Sequence, residues 1–225
     1  MDYSNLYAFL EECCKEQNID ESYGVDNAKA CMEWARKVMD ADKKEDKEGK
    51  EDKEGKEDKE DKKQEERFIL YCTALYRMCD KKYGSPLQNT IKIHSFLLKE
   101  GWSPATAEEC IAIINTISYS KLKRACSTNQ ATFPEMTEEH AYRWHIVRHA
   151  HLLEDYNVGR SMLFLMNRIP DGVEEDLWKL VETRFRNRVF LYVKDGWIFL
   201  PKAIEYANML EEKAYWNLVE RGCPL

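Results

Sequence analysis

Apolar residues recur at intervals of three and four along most of this chain. Leu6, Phe9, Leu10 and Cys13 stand at i, i+3, i+4 and i+7, which predicts a first helix over residues 3–16 with Ser4 or Asn5 as its cap. A second helical pattern runs from Val25 to Asp40 through Ala28, Cys31, Met32, Ala35 and Val38 or Met39, after Gly24 breaks a polar loop. From Glu66 to Lys82 the residues Phe68, Ile69, Cys72, Leu75, Tyr76 and Cys79 mark a core helix, closed by Gly84, Ser85 and Pro86. Leu87 to Glu100 follows as a helix with Ile91, Phe96 and Leu97 inward. Ser103 then caps a further helix over Ala105 to Ile117, with Pro104 in its first turn.

A long helix is predicted from near Thr137 to about Met166, carrying Tyr142, His145, Ile146, His149, Leu152 and Leu153. Another spans Val173 to Leu191 through Leu177, Leu180, Val181 and Phe185. Only 188–200, RVFLYVKDGWIFL, has strand character: two β-branched or aromatic runs flank Asp195-Gly196, so a small hairpin is expected there. Pro201 to Glu220 ends the chain as a helix. The expected fold is all-α, with eight or nine helices.

One stretch breaks the pattern. KEDKEG stands at 44–49 and again at 50–55, followed by KEDKED at 56–61, and 42–63 holds no apolar residue. Residues 40–66 contain 14 acidic and 9 basic side chains, which accounts for most of the net charge of −7. A segment with nothing to bury cannot offset its ordering entropy, so a disordered, expanded loop is the first reading. A solvated helical extension is the second, supported by the i,i+4 pairs Asp46/Lys50, Asp52/Lys56 and Asp58/Lys62 and opposed by Gly49 and Gly55. Taking the tract at about 40–66 as an insertion leaves about 200 residues, which suits one domain spanning 1–225.

Charge and cysteine usage narrow the function classes. No Lys/Arg-rich block stands free of acidic residues, so the chain lacks the electrostatic footprint of a nucleic-acid binder. No run reaches 18 apolar residues, which excludes a membrane helix. The eight cysteines form no C-x2-C pair and lie in apolar helical patterns with no signal peptide before them, as expected of reduced thiols in an intracellular, cytoplasmic protein.

Four stretches, in order, carry a resemblance. Ala74 to Tyr83, ALYRMCDKKY, is similar to A-L-L-H-D-h-x-D-K-K-Y, where h is apolar. Ser22 to Lys37, SYGVDNAKACMEWARK, is similar to S-H-G-x-x-H-A-x-x-V-x-x-x-A. Ile114 to Lys121, INTISYSK, is similar to h-x-x-I-S-(Y/F)-S-K, and Ile146 to Arg160, IVRHAHLLEDYNVGR, resembles I-V-x-D-A-D-x-L-D-A. These are motifs of the HD-domain metal-dependent phosphohydrolases. The chain resembles such proteins of large DNA viruses, which would place it in a host cytoplasm, and cellular nucleotide pyrophosphohydrolase-like relatives.

The resemblance implies a helical scaffold with a degenerate active site. Tyr23 and Asn27 stand in the histidine places of the Ser22 stretch, Tyr76 and Arg77 replace the His-Asp pair, and His149 and His151 replace two aspartates. The family's metal positions carry over to Asn27, Tyr76, Arg77 and His151. Arg77 alone opposes a cation: at about 4 Å and an effective dielectric of about 20, each unit-charge pair is worth about 4 kcal/mol, and about twice that against a divalent ion.

The leading expectation is therefore a pseudoenzyme with no catalytic residues and no cofactor. It would be retained to bind a nucleotide or phosphate, or to engage a protein partner. Arg77, Lys81, Lys82 and Arg160 are candidate phosphate-binding residues. The plainer reading of Asp80, Lys81, Lys82 and Arg160 is that they close helix ends and pair with one another. One alternative is an active phosphohydrolase whose divalent metal sits in a rearranged site of His149, His151, Glu154 and Asp80; His145 and His149, at i,i+4, also have zinc spacing but lack the H-E-x-x-H signature. The other is a structural or assembly protein that recruits a partner through the charged tract or an exposed helix, a surface to which Trp102, Trp144, Trp178, Trp197 and Trp216 could contribute, although buried packing is the expected use of most of them.

Overall fold

The computed structural model describes residues 2–45, 56–79, 85–120, 122–123 and 137–223. Two stretches in it have only buried residues, 68–75 and 146–156. Both lie in or at the end of helices, and they anchor the rest. Among the described residues there are nine α-helices and no strand: α1 (Ser4–Gln17), α2 (Val25–Glu45), α3 (Lys56–Leu75), α4 (Pro86–Lys99), α5 (Pro104–Thr116), α6 (Glu138–Glu154), α7 (Val158–Arg168), α8 (Glu174–Asn187) and α9 (Pro201–Glu220). Short 3-10 turns cover Tyr76–Cys79 and Val189–Leu191. No helix among these residues is long and apolar enough to cross a membrane.

The chain divides into two compact units, Met1–Ile19 with Asp46–Arg148, and Asp20–Glu45 with His149–Leu225. In the first, α3 is apolar all round from Phe68 to Leu75, the signature of a helix enclosed by others. Thr73 is tolerated there because its hydroxyl donates to the Ile69 carbonyl at 2.8 Å. Tyr71 lies among Tyr3, Phe96 and Trp102, at centroid distances of 6.1, 6.3 and 5.4 Å, and donates its hydroxyl to Glu100 at 2.7 Å. Leu6, Leu10 and Cys13 of α1, Ile93, Phe96 and Leu97 of α4, and Ala107, Cys110, Ile113 and Ile114 of α5 complete that core. Ser103 caps α5 as expected, its hydroxyl accepting from the Thr106 N–H at 3.1 Å.

In the second unit, α9 buries Ala203, Ala207, Ala214 and Leu218. That small-residue face allows close approach to α2, where the Trp34 and Tyr206 rings meet at 5.7 Å. The α8 face of Leu177, Val181 and Phe185 and the turn residues Val189, Tyr192 and Ile198 fill the other side of this core.

Several expectations change. The first helix is capped by neither Ser4 nor Asn5: Asp2 Oδ1 accepts from the Ser4 N–H at 2.9 Å. Ile91 points out rather than in, and Ile93 takes the buried place two residues on. Leu180 is exposed, with Val181 carrying that turn of the helix.

The long helix from Thr137 breaks at 155–157, where Asn157 caps α7 by accepting from the Arg160 N–H at 3.1 Å. Asp155, in the break, is held by Arg184 at 3.4 Å, Arg188 at 3.1 Å and the Tyr192 hydroxyl at 2.8 Å. Those bonds also explain why 188–200 is not a hairpin. Arg188 and Tyr192 must lie on one side of a tight turn to reach Asp155, and burial falls on Val189, Tyr192 and Ile198 rather than on alternate residues. The Asp195-Gly196 turn itself is present, with Gly196 at φ +71° and the Tyr192 carbonyl accepting from both Trp197 and Ile198.

At the charged tract, α2 runs on to Glu45 and α3 begins at Lys56, so its described ends are helical rather than loop. Residues 46–55, with Gly49, Gly55 and the pairs involving Asp46 and Asp52, lie outside the described residues.

Candidate functional site

The positions singled out by sequence fall in three groups. Asp80, Lys81 and Lys82 lie outside the described residues. Tyr76 and Arg77 belong to the first unit, on the 3-10 turn that tightens the end of α3; both are half-buried, and the Arg77 guanidinium stacks over the Tyr76 ring at 5.1 Å. Tyr23, Asn27, His149, His151, Glu154 and Arg160 belong to the second unit, and there the structure builds a connected network.

That network starts on α2. Asn27 and Cys31 are one turn apart and both buried, with Cys31 Sγ 4.0 Å from Asn27 Oδ1. Cys31 Sγ also lies 3.2 Å from His151 Nδ1, so thiol and imidazole share a hydrogen bond in a place only 0% and 5% exposed. One turn further along α2, Trp34 donates its indole N–H to Glu154 at 3.2 Å. Glu154, itself buried, accepts from Arg160 Nε at 2.7 Å and from the Asn157 amide at 3.1 Å. Arg160 donates its other arm to the Ser22 carbonyl at 3.2 Å. Tyr23 packs edge-on against Phe164 at 5.3 Å, and His149, fully buried, packs edge-on against Phe199 at 4.9 Å.

The structure thus brings Asn27, His151, Glu154 and Arg160 into one neighbourhood. Sequence reasoning missed the residues that join them, Cys31, Trp34 and Ser22. A signal for two was available: Cys31 and Trp34 follow Asn27 at i+4 and i+7 and share its helix face. Beside this network opens a cleft of about 420 Å³ lined by Trp34, Leu153, Glu154, Tyr156, Lys213 and Asn217, among others. Burial, with the Glu211 carboxylate adding to it, holds the Tyr156 phenol well above its ordinary value, so it stays protonated.

Two features bear on a metal. Among the described residues, no group of three or more His, Cys, Asp and Glu side chains is arranged to hold one. The His145 ring packs edge-on against Trp144 at 5.1 Å, and burial, with the Arg148 charge adding to it, pushes its pKa down to about 4.

A second charged constellation, in the first unit, was not anticipated. Arg143 donates from Nε to both oxygens of Glu65 at 2.8 and 2.9 Å, from one terminal nitrogen to Glu109 at 2.8 Å and from the other to Glu65 at 2.5 Å and to Glu139. Its guanidinium also lies over the Phe68 ring at 5.0 Å. The hydrogen-bonded carboxylates outweigh the desolvation that opposes the charge, so its pKa rises above the ordinary arginine value. The groove beside it, about 780 Å³, is lined by Glu65, Trp102, Glu109, Glu139 and Tyr142 with other side chains.

The sequence matches no family model, and comparison with curated proteins and with solved structures finds no match.

Proposed function

We propose that this chain is a non-catalytic relative of HD-domain phosphohydrolases, retained to bind a partner or ligand. The observation that carries the reading is the Cys31–His151 pair. The one imidazole left at a metal position spends Nδ1 on a buried thiol 3.2 Å away. Its companion on α2 is an asparagine, whose neutral oxygen is a weak ligand for a divalent ion. Glu154, needed by any rearranged site, is neutralised by Arg160 at 2.7 Å and held by Trp34. Hydrolysis of a phosphate ester by this family's chemistry needs a metal to activate water and offset phosphate charge. Arg77 at a carried-over ligand position works against that ion.

If the retained ligand is a nucleotide or phosphate, the candidate binding residues are Arg77, Lys81, Lys82 and Arg160, the last of which also donates to Glu154 and to the Ser22 carbonyl. Arg77→Glu then abolishes nucleotide binding in calorimetry.

The deciding experiment is a phosphatase and pyrophosphatase screen over nucleoside mono-, di- and triphosphates with added manganese, run beside an Asp80→Ala/His151→Ala control. The expected result is no turnover above the control. Turnover that vanishes in the control overturns the reading and assigns an active, rebuilt metal site instead.

A further inference from the structure

The groove of about 780 Å³ beside Arg143 is lined by residues of the first unit alone, so its make-up does not depend on the second. Its charge is local and unbalanced. Arg143 serves three of the lining carboxylates, Glu65, Glu109 and Glu139, and one positive charge does not neutralise three negative ones however well each bond is made. His140 Nε2 also stands 3.4 Å from Glu109. A fourth lining carboxylate, Asp61, is exposed and forms no ion pair among the described residues. Lys62 adds a second cation to the lining, so the groove stays acidic with every pair counted.

Carboxylates alone name no ligand, and Trp102 supplies the second observation. It lines the same groove at 7% exposure, and its buried indole N–H has no acceptor among the described residues. Buried donors are almost always bonded in folded proteins, which leaves this one for an acceptor from outside the fold. The aromatic walls also suit cations. The chain's own Arg67 lies over the Trp102 ring at 4.8 Å, and Arg143 lies over the Phe68 ring at 5.0 Å.

The fitting ligand therefore carries positive charge for the carboxylates and a carbonyl for the indole. A polyamine has the first without the second, and a nucleic acid has the wrong sign. No group of three or more metal-ligating side chains is arranged to hold an ion among the described residues. A basic stretch of polypeptide has both features.

We propose that this groove binds a basic peptide segment of a partner protein. Lysine or arginine side chains of the segment meet the acidic lining, where Asp61 and Glu139 are the exposed carboxylates, and a main-chain carbonyl accepts from the Trp102 N–H. Pairs with exposed carboxylates are weak, so a short segment binds with a dissociation constant of about 0.1–1 mM. The proposal rests on neither the carried-over metal positions nor the loss of catalysis, and stands or falls apart from them.

The test is a titration of the nitrogen-15-labelled full chain, at about pH 8 and low salt, with up to about 5 mM of an N-acetylated, C-amidated pentapeptide of alternating glycine and arginine. The readout is the set of indole N–H signals from the six tryptophans, with Trp102→Phe assigning the Trp102 signal by its loss. A saturable downfield shift of that signal is expected. Asp61→Asn/Glu139→Gln, at two exposed positions that leave the fold intact, weakens binding about threefold to tenfold. Citrulline in place of arginine keeps the carbonyls, removes the charge, and weakens binding about tenfold or more.

A Trp102 signal that stays in place at the highest concentration overturns the proposal. So does equal affinity for the citrulline peptide, or equal affinity of the double variant for the arginine peptide. A spermidine titration that reproduces the Trp102 shift also overturns it, because the groove is then a site for simple cations.

Discussion

The Arg143 constellation offers the sharpest test of how the first unit is held together. Replacing Arg143 with methionine keeps an unbranched side chain and removes the guanidinium, with its stacking over Phe68. The arginine side chain is 14% exposed; Glu65 and Glu109 are 30% and 21% exposed, and Glu139 is 67% exposed. The Glu139 bond, an exposed i,i+4 pair, is worth about 0.3–0.5 kcal/mol and can be set aside. Glu65 and Glu109 are different, because without Arg143 two half-buried carboxylates lose the cation they share.

Removing one partner of a buried pair costs about 3–5 kcal/mol, and the partial exposure of both carboxylates moves the expectation to the low end, about 3 kcal/mol. For a chain of this size that lowers the midpoint of thermal unfolding by about 6–12 °C. The assay is urea unfolding followed by tryptophan fluorescence, since Trp102 and Trp144 are buried in the same unit.

The companion variant decides the cause. If the loss comes from stranded charge, Arg143→Met/Glu65→Gln/Glu109→Gln is more stable than the single variant and recovers at least about half of the deficit. If it comes from lost packing, the triple variant is worse than the single one. A single variant within about 1 kcal/mol of wild type, or a triple variant less stable than it, refutes the reasoning.

Three further outcomes follow from particular contacts. His145, whose pKa is pushed down from 6.5 to about 4, is neutral in the folded chain across a range where the unfolded chain takes up a proton. The unfolded state therefore binds more protons between about pH 6.5 and 4, and stability falls as pH drops through that window, by about 2 kcal/mol from pH 8 to pH 5. His145→Gln removes that contribution, seen as a smaller shift of the urea midpoint between the two pH values. Asp155→Ala strands Arg184, Arg188 and the Tyr192 hydroxyl and costs about 3 kcal/mol by urea unfolding, whereas Tyr192→Phe, which removes only a hydroxyl, costs about 1–2 kcal/mol. Gly196→Ala meets no atom within 4 Å but forces a left-handed backbone at φ +71°, so it costs about 1–2 kcal/mol in the same assay through strain alone.

Helix existence was legible because three-and-four spacing reports which face a helix buries, and most of these helices bury one. The misreadings share a cause. Leu180 is next to the buried Val181 and Ile91 is two residues from the buried Ile93, and composition does not tell which of two nearby apolar residues faces the core. The break after Glu154 was invisible because 146–156 is buried throughout, so no polar face marks the turn. What ends the helix is Asp155, whose partners Arg184, Arg188 and Tyr192 lie about thirty residues away, beyond any local pattern. The strand-like 188–200 was misjudged for the same reason: its β-branched and aromatic residues serve a turn fixed by that distant carboxylate.

At the candidate site, residue identities were legible and their engagements were not. Asn27, His151, Glu154 and Arg160 could be picked out by motif, but whether each faces inward to a neighbour or outward to a ligand depends on residues outside the motif. A catalytic or metal site leaves some side chains under-satisfied by the fold, so that substrate or ion completes them. In the second unit the chain itself supplies the completion: Cys31 for His151, Arg160 and Trp34 for Glu154, the Ser22 carbonyl for Arg160. Such closure makes Cys31 the informative residue. Cys31→Ala removes the thiol that occupies the imidazole. If the thiol is what keeps a metal off the imidazole, that one change gives His151 measurable manganese affinity; if metal uptake stays at the wild-type level, the thiol contact is not what keeps a metal off His151.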